Sequence, residues 1–244
     1  EAWETLSKVS GTGLNQGDVV YFERGGLWRG SLMTKAGVGY SAYGKGIKPR
    51  IYGSLRNYSD KGKWKKTDQP NIYVYDEMLE KDAGILVFND GEAHTVKKVI
   101  GIDGFTGNTS ELKNDLEMYH GVNDKKVYLC SESGNPADRF SSIEFCLKDH
   151  IIKTSGNNIR IDNLCIRYGG AHGIGSGPVT GLRVTNCEFG WIGGSIQYDQ
   201  TRYGNAIEIY GSCKDYFVDH CYIYQIYDAG ITHQYKNPTS TETR

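Results

Sequence analysis

Proline and methionine are scarce in this 244-residue chain, at 5 and 3, and neither sign of charge dominates, with 28 Lys and Arg against 29 Asp and Glu. A near-neutral balance projects no long-range field toward polyanions, so nucleic acid and anionic membrane surfaces are poor partners. No apolar run approaches the roughly 18 residues of a membrane span, and no basic-then-apolar leader opens the chain. The six cysteines (130, 146, 165, 187, 213 and 221) include no CxxC pair and fall far short of a disulfide scaffold. They sit mostly inside strand-like runs, where buried free thiols acting as small apolar residues are expected. Glycine (32) and tyrosine (18) are plentiful, a profile of short strands and tight turns rather than long helices. The length suits one elongated all-β domain.

Three segments of the second half align: 158–177, 181–194 resuming at 204–212, and 215–235. In each, apolar residues alternate, pause for two polar residues and alternate again. Ile159 and Ile161 precede Asp162–Asn163, then Leu164 and Ile166; Leu182 and Val184 precede Thr185–Asn186, then Cys187 and Phe189; Tyr216 and Val218 precede Asp219–His220, then Cys221 and Ile223. Period 2 marks strands with one buried face, and the polar pair marks a corner. A third short strand follows a variable loop, with Ile174, Ile207 and Ile231 as its matched inward residues. Three short strands per turn of about 20–25 residues predict a solenoid whose coils bury their apolar faces by stacking.

On these residues the chain resembles the right-handed parallel β-helix proteins of the pectate-lyase-like superfold, with Asn163 and Asn186 where that family stacks an asparagine ladder and His220 departing from it. "GDVVYFERGGLWRG" (17–30) and "YSAYGKGIKPRIYGS" (40–54) are similar to the first coils of bacterial secreted carbohydrate-active members. The resemblance implies a secreted or cell-surface bacterial protein. We therefore expect an all-β, right-handed parallel β-helix over 1–244 as one domain, with irregular early coils at 55–115 and regular coils from about 120 to 235. Within 55–115, "NIYVYDEM" (71–78) reads as a strand and Asn89–Gly91 as the turn of a hairpin decoration. Because "EAWETLSKVS" opens mid-phrase and "NPTSTETR" follows a strand-like run, coils beyond 235 are expected to be missing, and a catalytic carboxylate is open to lying past Arg244.

Alternation sends Gly175, Glu208 and Thr232 outward on the third strand, so Glu208 is expected on a floor of small residues open to a ligand. The loops entering that strand's edge carry His172, Trp191, Tyr198, Asp199, Arg202, Tyr203, Asn205 and Tyr227, whose rings and polar tips suit sugar faces and hydroxyls. Asp228 sits at the same edge one coil beyond Glu208. Carboxyl groups roughly 5–9 Å apart work as a glycosidase pair, one donating a proton while the other attacks or activates water. Three functions follow: a glycoside hydrolase with Glu208 and Asp228 as the catalytic pair, a polysaccharide lyase acting on uronate polymers, or a non-catalytic glycan-binding solenoid. The hydrolase needs no cofactor; a lyase would place Ca²⁺ among Asp199, Glu208 and Asp228 and use Arg202 as base. Histidine metal ligation is not expected, since His172, His220 and His233 fall on different parts of the coil.

Overall fold

The computed structural model describes residues 3–234. Helix α1 (Leu6–Gly11) is N-capped by Thr5, whose side chain accepts from the Lys8 N–H, and it buries Leu6 and Val9 against the first strands. The chain then circles through β1 (Val19–Glu23), β2 (Leu27–Arg29) and β3 (Leu32–Met33), and starts again with β4 (Gly39–Tyr43) and β5 (Arg50–Tyr52). There it departs. Eight strands follow: β6 (Trp64–Lys66), β7 (Ile72–Tyr75), β8 (Ala83–Phe88), β9 (Ala93–His94), β10 (Val96–Lys97), β11 (Glu117–His120), β12 (Val127–Cys130) and β13 (Ile143–Leu147). The interrupted round closes with β14 (Ile152–Lys153), which pairs in parallel with β3.

The remaining rounds are β15 (Arg160–Asp162), β16 (Cys165–Gly169) and β17 (Ile174–Ser176); then β18 (Arg183–Thr185) and β19 (Glu188–Ile192), a hairpin of β20 (Ser195–Tyr198) and β21 (Thr201–Tyr203), and β22 (Ile207–Tyr210); then β23 (Phe217–Asp219), β24 (Tyr222–Ile226) and β25 (Ile231–Gln234). Each round contributes one strand to each of three parallel sheets. The first runs β1-β4-β15-β18-β23, the second β2-β5-β16-β19-β24 and the third β3-β14-β17-β22-β25.

The register agrees with the repeat alignment: Ile161↔Val184↔Val218, Ile166↔Phe189↔Ile223 and Ile174↔Ile207↔Ile231. Apart from Ile231 on the last described strand, which is exposed, these residues belong to the largest core or pack against it. The corners repeat as well. Asn158, Gly181 and Asp215, then Asn163, Asn186 and His220, then Tyr168, Trp191 and Gln225 all have positive φ, at a constant spacing of five residues in each round. Asparagine tolerates this left-handed conformation, which accounts for Asn163 and Asn186 without a bond between their side chains. The Asn186 amide donates instead to Asp162, while the Asn163 and Asn186 N–H groups reach the carbonyls of Thr185 and Asp219.

After β5 the three parallel sheets gain their next strand at β14 (Ile152–Lys153), in line with β3. Between β5 and β14, strands β6, β7, β12 and β11 pair antiparallel with one another, and β8 pairs antiparallel with both β9 and β13. A period of 2 reports a buried face and not the direction of the neighbouring strand. The Asn89–Gly91 turn does join the two arms of a hairpin, β8 to β9. This excursion has its own core of Tyr58, Trp64, Tyr75, Phe88, Phe140 and Phe145, with Tyr58 and Phe145 stacked at 4.0 Å. Among the described residues no helix is long and apolar enough to cross a membrane. Coils after 235 fall outside the described residues.

Candidate functional site

The third sheet and the β20–β21 hairpin enclose a cleft of about 600 Å³. Glu208 projects into it from β22, between inward Ile207 and Ile209, as strand alternation requires. Its surroundings differ from the open floor expected: Glu208 is only 5 % exposed. The Asn205 amide donates to its Oε2 at 2.6 Å, and the Thr232 hydroxyl, its register partner on the next coil, donates to the same oxygen. Among the described residues Oε1 has no hydrogen-bond partner, so the fixed carboxylate presents one oxygen to the cleft.

Gly175, the register partner of Glu208 on the preceding coil, is not bare either. The His150 ring lies over it so closely that a Cβ there would sit 2.7 Å from the ring. Gly173 and Ala206, which precede the inward isoleucines, face the core as well: a Cβ on Gly173 would meet Ile192 and Phe189, and Ala206 is fully buried. The chain turns into the strand at these positions, which shifts the alternation by a residue.

One row of side chains crosses the coils at the entrance to the third sheet: His150, His172, Asn205 and Ala229. Nδ1 of His150 accepts the His172 N–H at 3.2 Å, Nδ1 of His172 accepts the Asn205 N–H at 3.0 Å, and Oδ1 of Asn205 accepts the Ala229 N–H at 3.0 Å. Each side chain satisfies a backbone donor of the neighbouring chain segment in the third sheet, where the strand ladder has yet to start. The two imidazoles stack at 4.9 Å, and Tyr203 continues the stack at 5.5 Å from His172. Burial, reinforced by the neighbouring His150, pushes His172 down to about 4, so at neutral pH it is an uncharged ring. His150 is lowered in the same direction, by burial and then by Lys153.

Arg202 lines the cleft from β21, donating from Nε to the Gly194 carbonyl at 2.6 Å, with its guanidinium 4.6 Å over the Tyr227 ring. Burial lowers its pKa, and among the described residues no carboxylate lies within ion-pair distance of it. Asp228 and Tyr227 enter from the β24–β25 loop, both exposed, and the Asp228 N–H reaches the Gly204 carbonyl at 3.3 Å. The hairpin that roofs this side is pinned to the excursion. Ile196 N–H donates to Asp82 at 2.6 Å, Gln200 to the Ile100 carbonyl at 2.9 Å, and Lys148 to the Gln197 carbonyl at 2.8 Å. Gly84 permits this approach, since a Cβ there would lie 2.3 Å from the Ser195 nitrogen.

Seven of the residues singled out in the sequence therefore share one cleft: His172, Arg202, Tyr203, Asn205, Glu208, Tyr227 and Asp228. Three do not. Trp191 is buried beside Tyr52, Val87, Cys146 and Tyr168, against Gly91 of the excursion. Its backbone is left-handed there, at the third of the corners in its round. Tyr198, 80 % exposed, and Asp199, at positive φ, form the tip of the hairpin and do not line the cleft. Asp199, Glu208 and Asp228 thus do not converge on one cation position, and no cluster of three His, Cys, Asp or Glu suited to a metal ion occurs among the described residues. His150, Ser176, Gly177, Thr201, Tyr210 and Gln234 also line the cleft and were missed. The signal for His150 was present: "HIIKT" repeats the His-x-Ile phase of "HGIGS", hidden because 150 follows the excursion.

No known protein family, curated protein or solved structure matches this chain.

Proposed function

We propose that the three parallel sheets are the faces of a right-handed parallel β-helix of pectate-lyase-like kind, and that the chain is a polysaccharide-active enzyme, a glycoside hydrolase. The observation that carries the activity is the presence of two carboxylates of different setting, buried Glu208 and exposed Asp228, on the lining of one cleft. Glu208, oriented by Asn205 and Thr232, holds its free oxygen in a fixed place, as a nucleophile attacking an anomeric carbon requires. Asp228, on a solvent-facing loop, donates a proton to the leaving oxygen and then takes one from water. Tyr203, Tyr227 and the His172 edge supply the apolar and hydrogen-bonding surface for sugar rings. A secreted or cell-surface bacterial setting accompanies this reading.

A lyase acting on uronate polymers is the second reading, favoured by one observation: the cleft guanidinium of Arg202 has no carboxylate partner among the described residues and is free to meet a substrate carboxylate. A screen of plant, algal and host polysaccharides separates the readings. Hydrolysis yields new reducing ends alone; a lyase yields reducing ends together with ultraviolet absorbance from unsaturated uronate. Binding to a polymer with neither product supports a non-catalytic glycan-binding protein and contradicts both enzymes.

A further inference from the structure

Cys187 and Cys221 occupy matched positions on adjacent coils, each one residue before the register pair Glu188↔Tyr222. The Tyr222 N–H donates to the Cys187 carbonyl at 2.9 Å, so the ladder is continuous there. Both side chains point inward, and in the same way. The Cys187 thiol contacts the Ile161 carbonyl and the Cys221 thiol the Val184 carbonyl, each at 3.8 Å, and Ile161 and Val184 are themselves register partners. Two equivalent thiols are therefore stacked one coil apart. Neighbouring strands lie about 4.8 Å apart, inside the roughly 4.4–6.8 Å between Cα atoms that a disulfide spans. The other four cysteines have no such match: Cys165 stands in register with Arg50 and Glu188, Cys213 bonds the Gly177 carbonyl, and Cys130 and Cys146 lie in different sheets of the excursion. All six are free thiols in this structure.

We propose that Cys187 and Cys221 form a disulfide on exposure to a small-molecule disulfide such as oxidised glutathione, stapling the last described coil to the coil before it. The staple joins the coil bearing Asp228 and Thr232 to the one bearing Glu208, but its formation is independent of any activity of the cleft. Cys221 is the entry point, being half-buried where Cys187 is fully buried. Hydrogen bonding from Cys187 lowers the Cys221 thiol, while burial raises Cys187. The Cys221 thiolate attacks one sulfur of oxidised glutathione, breaking its S–S bond and releasing one glutathione thiolate. Cys187 gives its proton to solvent and attacks Sγ of Cys221 in the mixed disulfide, expelling the second thiolate. Two protein thiols are oxidised and one external disulfide is reduced to two thiols.

The test is thiol titration and peptide mass spectrometry of the full chain after incubation with graded oxidised glutathione. The expected result is a fall from six thiols to four, a mass loss of two hydrogens and one cross-linked peptide joining 187 to 221. Cys213→Ser should retain the link and Cys221→Ser should abolish it. Limited proteolysis within β23–β25 should slow about tenfold in the oxidised protein, since a cross-link suppresses local opening. Six surviving thiols, a link between other cysteines, a stable glutathione adduct at Cys221, or unchanged proteolysis of the cross-linked form would each overturn the proposal.

Discussion

The stacked rounds and the excursion at residues 53–151 solve the problem of a buried core in opposite ways. The rounds repeat one small solution: Ile174, Ile207 and Ile231 stand in one register position and Ile161, Val184 and Val218 in another. The excursion fills a single irregular volume with rings, where Phe145 alone meets Tyr58, Trp64 and Tyr75. A ladder tolerates variation because its parts are interchangeable, whereas a ring cluster depends on shape. The cleft forms where the two meet. His150 arrives as the excursion ends, and Asp82 of the excursion holds the hairpin that roofs the opposite side.

The sharpest way to break that contrast is Phe145→Ala. Loss of a fully buried ring stacked at 4.0 Å on Tyr58 should cost about 3–5 kcal/mol. Hydrogen exchange should show the loss in β6–β13 while β15–β19 stay protected. Uniform loss across both regions would mean that they share one cooperative core.

The joint between the regions is the next target. Lys97, with a side chain 2 % exposed, donates to both oxygens of Asp82 and to the Ala83 carbonyl. Lys97→Met should leave Asp82 without its main counter-charge and cost roughly 3 kcal/mol or more. Protection of the Ile196 amide should fall first. Because burial lowers Lys97 to about 8, below its unfolded value, the folded state releases this proton more readily.

His172 gives an acid-side effect of the same kind. Its folded value of about 4 lies below the ordinary 6.5, so the unfolded chain binds the proton first. Its contribution is complete above about pH 6.5 and should drain away as pH falls toward 4, by up to about 3 kcal/mol. A urea titration series over that range should show the decline in the wild type and a smaller one in His172→Asn. The smallest effect separates bonding from ring chemistry. His172→Leu leaves the buried Asn205 N–H unpaired, at about 1–3 kcal/mol, while His172→Asn should recover most of it. Asn205 already does the same job for Ala229 with its Oδ1.

Sequence made the rounds legible because a ladder writes itself into the chain: every inward residue recurs at the same phase, and Glu208 is outward because Ile207 and Ile209 are not. The excursion was opaque for the converse reason. Strands β7, β11 and β12 pair antiparallel, and nothing in a strand's own residues reveals which neighbour it pairs with. Within the site, Glu208, Asn205, Tyr203 and Asp228 were readable from the loop edge. Trp191 was misplaced because its backbone is left-handed at a corner, a conformation that composition does not announce for tryptophan. The burial of Glu208 was missed because Thr232, which bonds it, and His150, which shares its cleft, are distant in sequence.

Turnover by Glu208→Gln tests the central claim most directly, measured as reducing ends released from a polysaccharide that the wild type cleaves. The account predicts a fall in kcat of at least about a thousandfold with binding retained, because the amide keeps the shape but cannot attack. An E208Q protein that folds, binds and cleaves at the wild-type rate would contradict it.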